Sequence, residues 1–403
     1  MPCLWIFFCK PSRYPLWLRI TGMQANIIVL GAGIIGSSVA HFLALQGAKV
    51  LVLEQDPKAA TDQTASSSAA RATGGFRVQY GTSINVQLSL LARQILLNFE
   101  NQTGVNSGYE PHGYLFLATS RHELQSLEAA LVVQQQTGLS VARAVNPIEI
   151  AQLNPALNLE GVLGGTFCPW DGFIRPLEML KGFANSATQH GAEFRYGIKA
   201  KLETREKKVV VITPDATLEA DAIINCTGAW AGTLGLEIPV IPEKRQIAET
   251  VVTDVLPPNM PMSIYCDSGF HLRVRNQRVL LLRPSPVKSS YPFDLEPDMN
   301  WLAPMQQEAD TRVPVLQKVA VARTWAGLYE NSPDKHALFG QHPEYPNFYL
   351  INGSSGHGTM HSPAFGQLMT ELILSGKTQS LNMHQLRPER FAENDAIIGN
   401  SLL

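Results

Sequence analysis

The apolar and polar positions at the start of the chain predict two strands joined by a helix. Residues 26–30 and 49–54 are short, nearly continuous apolar runs, as expected of parallel strands buried on both faces. The small and apolar residues between the two runs predict the helix. A strand–helix–strand unit of this kind is typical of an α/β domain.

The rest of the chain mixes amphipathic helices with short strands. Apolar residues recur at helical spacing in three segments, 84–100, 121–136 and 177–190. Turn residues predict an irregular connection over 164–176 and a surface excursion over 286–311. Strands are predicted at 113–118, 193–196, 209–212, 222–225, within 247–285 and at 348–351, the last followed by a glycine loop and a helix over 365–374.

Strand–glycine–helix elements therefore stand near both ends of the chain, with β-rich sequence between them. We expect an α/β protein, α+β overall, with a Rossmann-like domain built from discontinuous segments and an inserted antiparallel β-sheet domain. The predicted boundaries are 1–22 for a non-core extension, 23–90, 150–236 and 326–390 for the dinucleotide-binding domain, and 91–149 and 237–325 for the substrate or cap domain.

The first glycine turn has the spacing of a dinucleotide-binding motif. Gly31 allows the tight turn, Gly33 lets the backbone approach a pyrophosphate, and Gly36 lets the helix pack against the strand. The helix N-terminus offers free N–H groups to phosphate. Glu54 ends the second strand, where an acid accepts hydrogen bonds from an adenosine ribose. The predicted contact set is Gly31, Ala32, Gly33, Ile34, Ile35, Gly36, Glu54 and Gln55.

A loop of small residues follows over 61–75. Its serines and glycines form little core but present many N–H and hydroxyl donors, which suits close approach to a large cofactor. A disordered linker is the alternative. The candidate cofactor contacts here are Ser66, Ser67, Arg71, Ala72, Gly74 and Gly75.

Composition narrows the class of protein. The chain has 403 residues, 45% of them hydrophobic and 16% charged, which is typical of an enzyme of two domains with a sizeable core. A net charge of -2 without basic runs disfavours nucleic acid or an anionic membrane as partner. Five dispersed cysteines and ten histidines form no metal-binding spacing, so we expect no metal site and a reducing cytoplasm.

The first 22 residues do not have the pattern of a membrane span. Their apolar residues are interrupted by Lys10, Arg13, Arg19 and prolines, and no clear cleavage site follows. Met23 stands three residues before the first strand, so translation starting at Met23 is a second interpretation. We leave residues 1–22 out of the fold.

Five motifs in order resemble the D-amino-acid oxidase superfamily of FAD enzymes. They are the Gly31–Gly36 turn with Glu54, Gly74-Gly-Phe-Arg77, Asn225-Cys-Thr-Gly-Ala-Trp230, Gly327-Leu-Tyr-Glu-Asn-Ser-Pro-Asp334, and Gly356-His-Gly358. The spacing is most similar to the branch that contains sarcosine oxidase β-subunits, proline dehydrogenase and glycine oxidase. The resemblance covers residues 26–376.

The resemblance implies a bound FAD with its reactive face between the two domains, and oxidation of an amine that carries a carboxylate. Arg77 corresponds to a substrate-carboxylate arginine and Tyr329 to an active-site aromatic, while His271 and Arg273 lie on a strand facing the flavin if the register is right. The implied cofactor contacts are Thr227, Gly228, Trp230, Gly327, Gly353, Ser355, Gly356, His357, Gly358, Thr359 and Met360.

Three departures from the family pattern change the expected chemistry. Gly327 stands where monomeric sarcosine oxidases have a flavin-bonded cysteine, so we predict non-covalent FAD. Pro176 stands near the histidine that anchors FMN in heterotetrameric sarcosine oxidases, which argues against covalent FMN. Met360 and Leu281 occupy positions where oxidases carry lysines, and the absence of a cation favours a dehydrogenase with an acceptor other than oxygen.

Several interpretations remain open at the level of the sequence. The main one is FAD-dependent oxidation of a sarcosine-like, proline-like or glycine-like amine by hydride transfer to flavin N5, with oxygen or an unknown carrier as electron acceptor. The main alternative is a non-catalytic flavoprotein assembly factor, because some relatives are tied to respiratory-complex assembly. An RNA-modifying flavoenzyme and a nicotinamide dehydrogenase are less favoured. The sequence does not identify the amine substrate, and it does not show whether a partner subunit is needed.

Overall fold

The computed structural model describes residues 26–59, 65–284 and 291–399. The predictions about residues 1–22 and Met23, and the first part of the loop over 61–75, lie outside these ranges. The strands are β1 (Asn26–Leu30), β2 (Lys49–Glu54), β3 (Gly75–Phe76), β4 (Tyr114–Ala118), β5 (Arg143–Val145), β6 (Gly164–Cys168), β7 (Gly172–Phe173), β8 (Glu193–Tyr196), β9 (Lys201–Arg205), β10 (Lys208–Ile212), β11 (Thr217–Leu218), β12 (Ala222–Asn225), β13 (Ile241–Thr250), β14 (Met262–Tyr265), β15 (His271–Arg275), β16 (Arg278–Leu282), β17 (Val321–Asn331), β18 (Leu338–Gln341) and β19 (Phe348–Asn352). The α-helices are α1 (Ile34–Leu45), α2 (Ser68–Arg71), α3 (Ser83–Leu96), α4 (Phe99–Thr103), α5 (Arg121–Gln136), α6 (Pro147–Leu153), α7 (Pro176–Gln189), α8 (Leu302–Arg312) and α9 (Gly358–Ser375).

The first sheet has the order β18-β19-β12-β1-β2-β8 and is parallel except for β18. Its central strands are apolar on both faces because helices cover one side and the small β9–β11 sheet lies against the other. Gly36 makes the close packing of α1 possible, since a Cβ at this position would lie 1.9 Å from the Gly31 carbonyl oxygen. The predicted Rossmann-like domain from discontinuous segments is confirmed.

The second sheet has the order β17-β13-β16-β15-β14-β4-β6-β5 and is antiparallel apart from the β14–β4 pair. Its apolar side packs on Trp301 and on Met305 and Ala309 of α8. The same sheet takes in β6, because β6 pairs with β4 along its whole length. The domain boundaries stay a prediction, but this pairing moves Gly164–Cys168 out of the predicted 150–236 segment and into the inserted sheet.

Four local expectations need correction. The 164–176 connection contains β6 and β7, and the 286–311 excursion contains α8. The 247–285 prediction missed the length of β13, which begins at Ile241 and pairs with β17 over ten positions through Thr250. Helix α9 begins at Gly358 rather than 365, although Pro363 lies inside it. The Ser362 hydroxyl donates to the Thr359 carbonyl oxygen, which Pro363 leaves without its helical N–H donor.

Within the described ranges, no helix combines the length and the apolar character that crossing a membrane requires. Over the same ranges, no cluster of three histidine, cysteine or carboxylate side chains is placed to hold a metal ion.

Candidate functional site

A cavity lies between the two sheets, where the strand ends of the first sheet face the inserted sheet. Both glycine turns line it, so Gly33 and Gly358 share one continuous wall. The candidate residues on this wall are Gly31, Gly33, Ile34, Ile35, Glu54, Gln55, Ser66, Ser67, Arg71, Ala72, Gly74, Gly75, Arg77, Thr227, Gly228, Trp230, His271, Gly327, Tyr329, Ser355, Gly356, His357, Gly358, Thr359 and Met360.

Four candidates lie behind the wall. Ala32 donates its N–H to the Glu54 carboxylate at 2.8 Å, and Gly36 is in contact with Gly31 as described above. The Gly353 N–H donates to the Glu330 carboxylate at 3.2 Å. Arg273, which was predicted as a catalytic residue, does not line the cavity. Its guanidinium donates to the carbonyl oxygens of Thr73 and Gly74 and lies over the Phe173 ring, so it braces the cofactor loop from outside the cavity.

The first glycine turn has the geometry of an anion-binding site. Gly33 caps α1 in an extended conformation, and a Cβ on Gly33 would meet nothing within 4 Å, so the turn opens onto the cavity. The first N–H groups of α1 have no helical acceptor and are free for a phosphate. At the end of β2, Glu54 accepts hydrogen bonds from the N–H groups of Ala32 and Asp56, both at 2.8 Å. Burial raises the pKa of Glu54, against the effect of these two hydrogen bonds.

The second glycine turn brings another helix N-terminus to the same cavity. Gly356 has a φ of 91°, and a Cβ there would lie 2.5 Å from the Tyr329 ring, so only glycine lets this turn lie against Tyr329. Helix α9 begins two residues later, and the N–H groups of Gly358, Thr359 and Met360 have no helical acceptor. A Cβ on Gly358 would lie 3.2 Å from the Ile35 side chain, so α1 and α9 begin side by side.

Arg77 is buried on the cavity wall, within contact of His357 and Tyr80. Its Nη2 lies 3.0 Å from His357 Nε2, and its guanidinium carbon lies 4.4 Å from the centre of the Tyr80 ring. Burial and the charge of Arg77 lower the pKa of His357 well below its usual value. A guanidinium only donates, so neutral His357 accepts at Nε2 and carries its proton on Nδ1. The Tyr80 hydroxyl in turn donates to Met360 Sδ at 2.8 Å.

Asp171 fixes the backbone that carries Arg77. Its carboxylate accepts hydrogen bonds from the Val78 N–H at 2.6 Å and from Gln79 Nε2 at 2.8 Å. Burial raises the pKa of Asp171 to about 7, while these hydrogen bonds and the nearby Arg77 act in the opposite direction. Sequence reasoning missed this residue, although an aspartate within an apolar, turn-rich segment was an available signal.

His271 is uncharged in this site. Burial, together with the charges of Arg245 and Arg77, lowers its pKa to about 4. Its Nδ1 lies 2.8 Å from the Gly269 carbonyl oxygen, so Nδ1 carries the proton and Nε2 is left as an acceptor. Tyr329, by contrast, is 36% exposed at the cavity wall, with the Arg245 guanidinium 5.1 Å from its ring centre.

Three further charged residues on the wall, Arg245, Arg283 and Glu330, were not among the predicted site residues. Arg245 lies inside β13. Glu330 follows Tyr329 at the end of β17 and is 8% exposed. Burial raises the pKa of Glu330 to about 7. The signal for Glu330 was an acid inside the Gly327–Asp334 motif, directly before Asn331, Ser332 and Pro333.

A Rossmann-type parallel sheet with two helix N-termini opening into one cavity, closed by an antiparallel sheet that contributes polar side chains, defines a dinucleotide-dependent oxidoreductase. The comparisons with known proteins make the class more specific.

The family profile described as FAD dependent oxidoreductase (DAO) matches residues 26–372. The chain therefore belongs to this family, and its cofactor is FAD. It is 25% identical to the FAD-dependent oxidoreductase domain-containing protein 1 of Xenopus laevis, over 94% of the chain and 85% of that protein. It is 26% identical to the mitochondrial sarcosine dehydrogenase of Homo sapiens, over 91% of the chain but only 41% of that longer protein. The crystal structure of L-proline dehydrogenase from P. horikoshii superposes with a TM-score of 0.83 at 25% identity, covering 93% of this chain and 99% of that one.

The residues present fit FAD. Glu54 would accept hydrogen bonds from the adenosine ribose, the open Gly33 turn and the α1 N-terminus would hold the pyrophosphate, and the same cavity also reaches Tyr329 and Arg77. Cys226 is the cysteine on this wall, but burial raises the pKa of its thiol and Glu330 adds to that effect. A thiol held in its neutral form is a poor nucleophile, which supports the prediction of non-covalent FAD.

Proposed function

We propose that this protein oxidises a small amine that carries a carboxylate, transferring a hydride equivalent to FAD and releasing an imine. The observation that carries the proposal is Arg77, a buried guanidinium on the cavity wall whose position is fixed by neutral His357 and the Tyr80 ring. The similar proteins include a sarcosine dehydrogenase and an L-proline dehydrogenase, and sarcosine and proline are both small amines that carry a carboxylate.

Arg77 would bind the substrate carboxylate. The planar guanidinium presents paired donors that match the two oxygens of a carboxylate, and burial makes the pair stronger than it would be in water. His357 and Tyr80 fix the Arg77 guanidinium before the substrate binds, so little side-chain entropy of Arg77 is lost on binding. The neutral state of His357 avoids a second positive charge next to the guanidinium.

His271 and Tyr329 would contact the amine end of the substrate. Neutral His271 offers the Nε2 lone pair, which accepts a hydrogen bond from an N–H group and helps to hold an uncharged amine. A pKa of about 4 makes His271 a weak base, so its role is orientation rather than removal of a proton from an ammonium group. Tyr329 supplies an aromatic wall. Bound FAD would supply the hydride-accepting chemistry.

We infer a dehydrogenase rather than an oxidase. Apolar side chains occupy the positions where oxidases of this branch carry lysines. Met360 lies on the cavity wall with its sulfur hydrogen-bonded to Tyr80, whereas Leu281 packs into the core of the inserted sheet and its neighbour Leu282 faces the cavity. We also propose a cytoplasmic location, which cell fractionation would test.

The deciding experiment is anaerobic reduction of the FAD-loaded protein. Sarcosine, dimethylglycine, proline, glycine and D-amino acids are mixed separately with it, and bleaching of the flavin absorbance is followed. Admitting air then measures the rate of reoxidation. We expect one substrate class to bleach the flavin and air to restore it slowly. Bound FAD that stays oxidised with the whole panel would instead support a non-catalytic flavoprotein.

The Arg77→Lys variant tests the carboxylate role. Lysine keeps the charge but loses the paired donors, so we expect kcat/KM to fall by about 10²- to 10³-fold, the effect of one to two charge-assisted hydrogen bonds. The matched control is Arg93→Lys. Arg93 also lies over aromatic rings, 4.3 Å from the centre of the Trp170 ring, but is not on the cavity wall. Equal losses in both variants would contradict the assignment.

A further inference from the structure

The Glu330 carboxyl lies between Gly228, which follows β12, and Gly358 at the start of α9. A Cβ on Gly358 would be 3.4 Å from Oε1, and a Cβ on Gly228 would be 3.6 Å from Oε2. The Gly353 N–H donates to Oε2, and the Glu330 carbonyl oxygen accepts the Ser355 N–H at 3.0 Å. The side chain is therefore fixed on the cavity wall at the N-terminus of α9.

Within the described ranges, no ion pair involves Glu330, and the groups that shift its pKa include no charged side chain. Burial disfavours the carboxylate, and hydrogen bonding, including that from the Gly353 N–H, opposes this effect only in part, so the pKa of Glu330 is raised to about 7. Glu330 is therefore close to the balance between its neutral and ionised forms at neutral pH. A small change in nearby charge is enough to move that balance.

Glu330 lies on the same cavity wall as Glu54 and Gly33. FAD bound with its adenosine at Glu54 and its pyrophosphate at Gly33 would extend past the start of α1. At that point a Cβ on Gly358 would contact both the Ile35 side chain and the Glu330 carboxyl, so the flavin half would reach Glu330. When FAD receives a hydride equivalent, two electrons and one proton, it gains a negative charge. This charge and an ionised Glu330 would compete for the same positive end of α9.

We propose that Glu330 contacts the flavin half of FAD and takes up one proton from solvent when the FAD is reduced. In the reduced protein the carboxyl is neutral, no longer repels the negative charge of the flavin, and can donate a hydrogen bond. The inference rests on the FAD cofactor and not on the identity of the amine, and it assigns to Glu330 the uptake of a second proton, in addition to the one that the flavin itself takes up.

The test is the midpoint potential of the bound FAD as a function of pH, with dithionite as reductant and no amine present. Glu330→Gln imitates the neutral carboxyl. At acidic pH the wild-type and variant potentials should coincide. Above about pH 7 the wild-type potential should fall more steeply, by one extra proton for every two electrons, and lie below that of the variant.

The matched control is Glu371→Gln. Glu371 is a buried glutamate on α9, 4% exposed, that accepts hydrogen bonds from Gln379 and Ser380 outside the cavity. It should keep the wild-type dependence on pH. Parallel wild-type and Glu330→Gln curves at every pH would overturn the proposal, because a purely structural carboxyl changes stability or FAD affinity without changing proton uptake.

Infrared difference spectra of the wild-type protein keep the proposal testable if Glu330→Gln does not retain FAD. Above about pH 7, reduction by dithionite should produce a protonated-carboxyl carbonyl band and remove carboxylate bands. Absence of these changes would overturn the proposal. Because neither measurement uses an amine, their failure is distinguishable from failure of the proposed enzymatic function.

Discussion

Removing one partner of the buried ion pair between Asp334 and Arg390 should lower stability more than removing one partner of an exposed pair. The Arg390 side chain is fully buried, and its Nε and Nη2 donate to the two Asp334 oxygens at 2.8 and 2.9 Å. Its remaining N–H groups donate to the carbonyl oxygens of Leu386, Arg387 and His336. The perturbation is Asp334→Asn, which removes the charge with almost no change of shape.

The expected loss in the free energy of unfolding follows from the burial of the ion pair. Removing one partner of a buried pair leaves the other charge without compensation and costs about 3–5 kcal/mol. Asparagine keeps one acceptor oxygen, so we expect the lower end of that range, about 3 kcal/mol. The matched control is Glu178→Gln, whose partner Lys181 lies 3.0 Å away with both side chains more than two-fifths exposed. The control should cost less than about 1 kcal/mol.

The assay is urea unfolding of both variants with FAD bound, followed by flavin and tryptophan fluorescence. Burial raises the pKa of Asp334, but the hydrogen bonds from Arg390 and the Ile397 N–H outweigh it and hold the pKa below its ordinary value. The stabilisation is therefore present above the unfolded pKa of about 4 and is lost as pH falls through the folded value. If Asp334→Asn lowers the free energy of unfolding by no more than Glu178→Gln does, the large cost assigned to breaking the buried pair is wrong.

Two further predictions concern the cavity. Gly33→Ala should weaken FAD binding but leave the melting temperature of the FAD-free protein unchanged, because its Cβ meets no protein atom and lies on the cavity wall. Gly36→Ala should lower the melting temperature of the FAD-free protein, because its Cβ would lie 1.9 Å from the Gly31 carbonyl oxygen. Melting temperatures without FAD and FAD titrations of both variants check this. His271→Asn should lower kcat/KM without changing the shape of its pH profile between about pH 5 and 8, because the wild-type histidine has a pKa of about 4 and is already neutral there. Loss of an ionisation near pH 6.5 in that variant would contradict the assignment.

The local sequence determined most of the first domain. The Gly31–Gly36 turn, the strands on either side of it and Glu54 are predictable from sequence, because glycine conformation, strand burial and helix-terminus electrostatics act within a few residues. The glycine turn at Gly356 was found in the same way. FAD as the cofactor and the discontinuous Rossmann-like domain, both expected from these motifs, are confirmed by the family match and the structure.

Tertiary structure decided what the strands of the inserted sheet present to the cavity. Two residues apart on β15, His271 faces the cavity and Arg273 braces the loop behind it, because Arg273 finds carbonyl acceptors at Thr73 and Gly74 that are distant in sequence. Glu330 is a candidate site residue only because β17 and the start of α9 pack together around its carboxyl. Burial and long-range hydrogen bonds set the charge state of such groups, and both depend on which distant segments pack together, which no local pattern encodes.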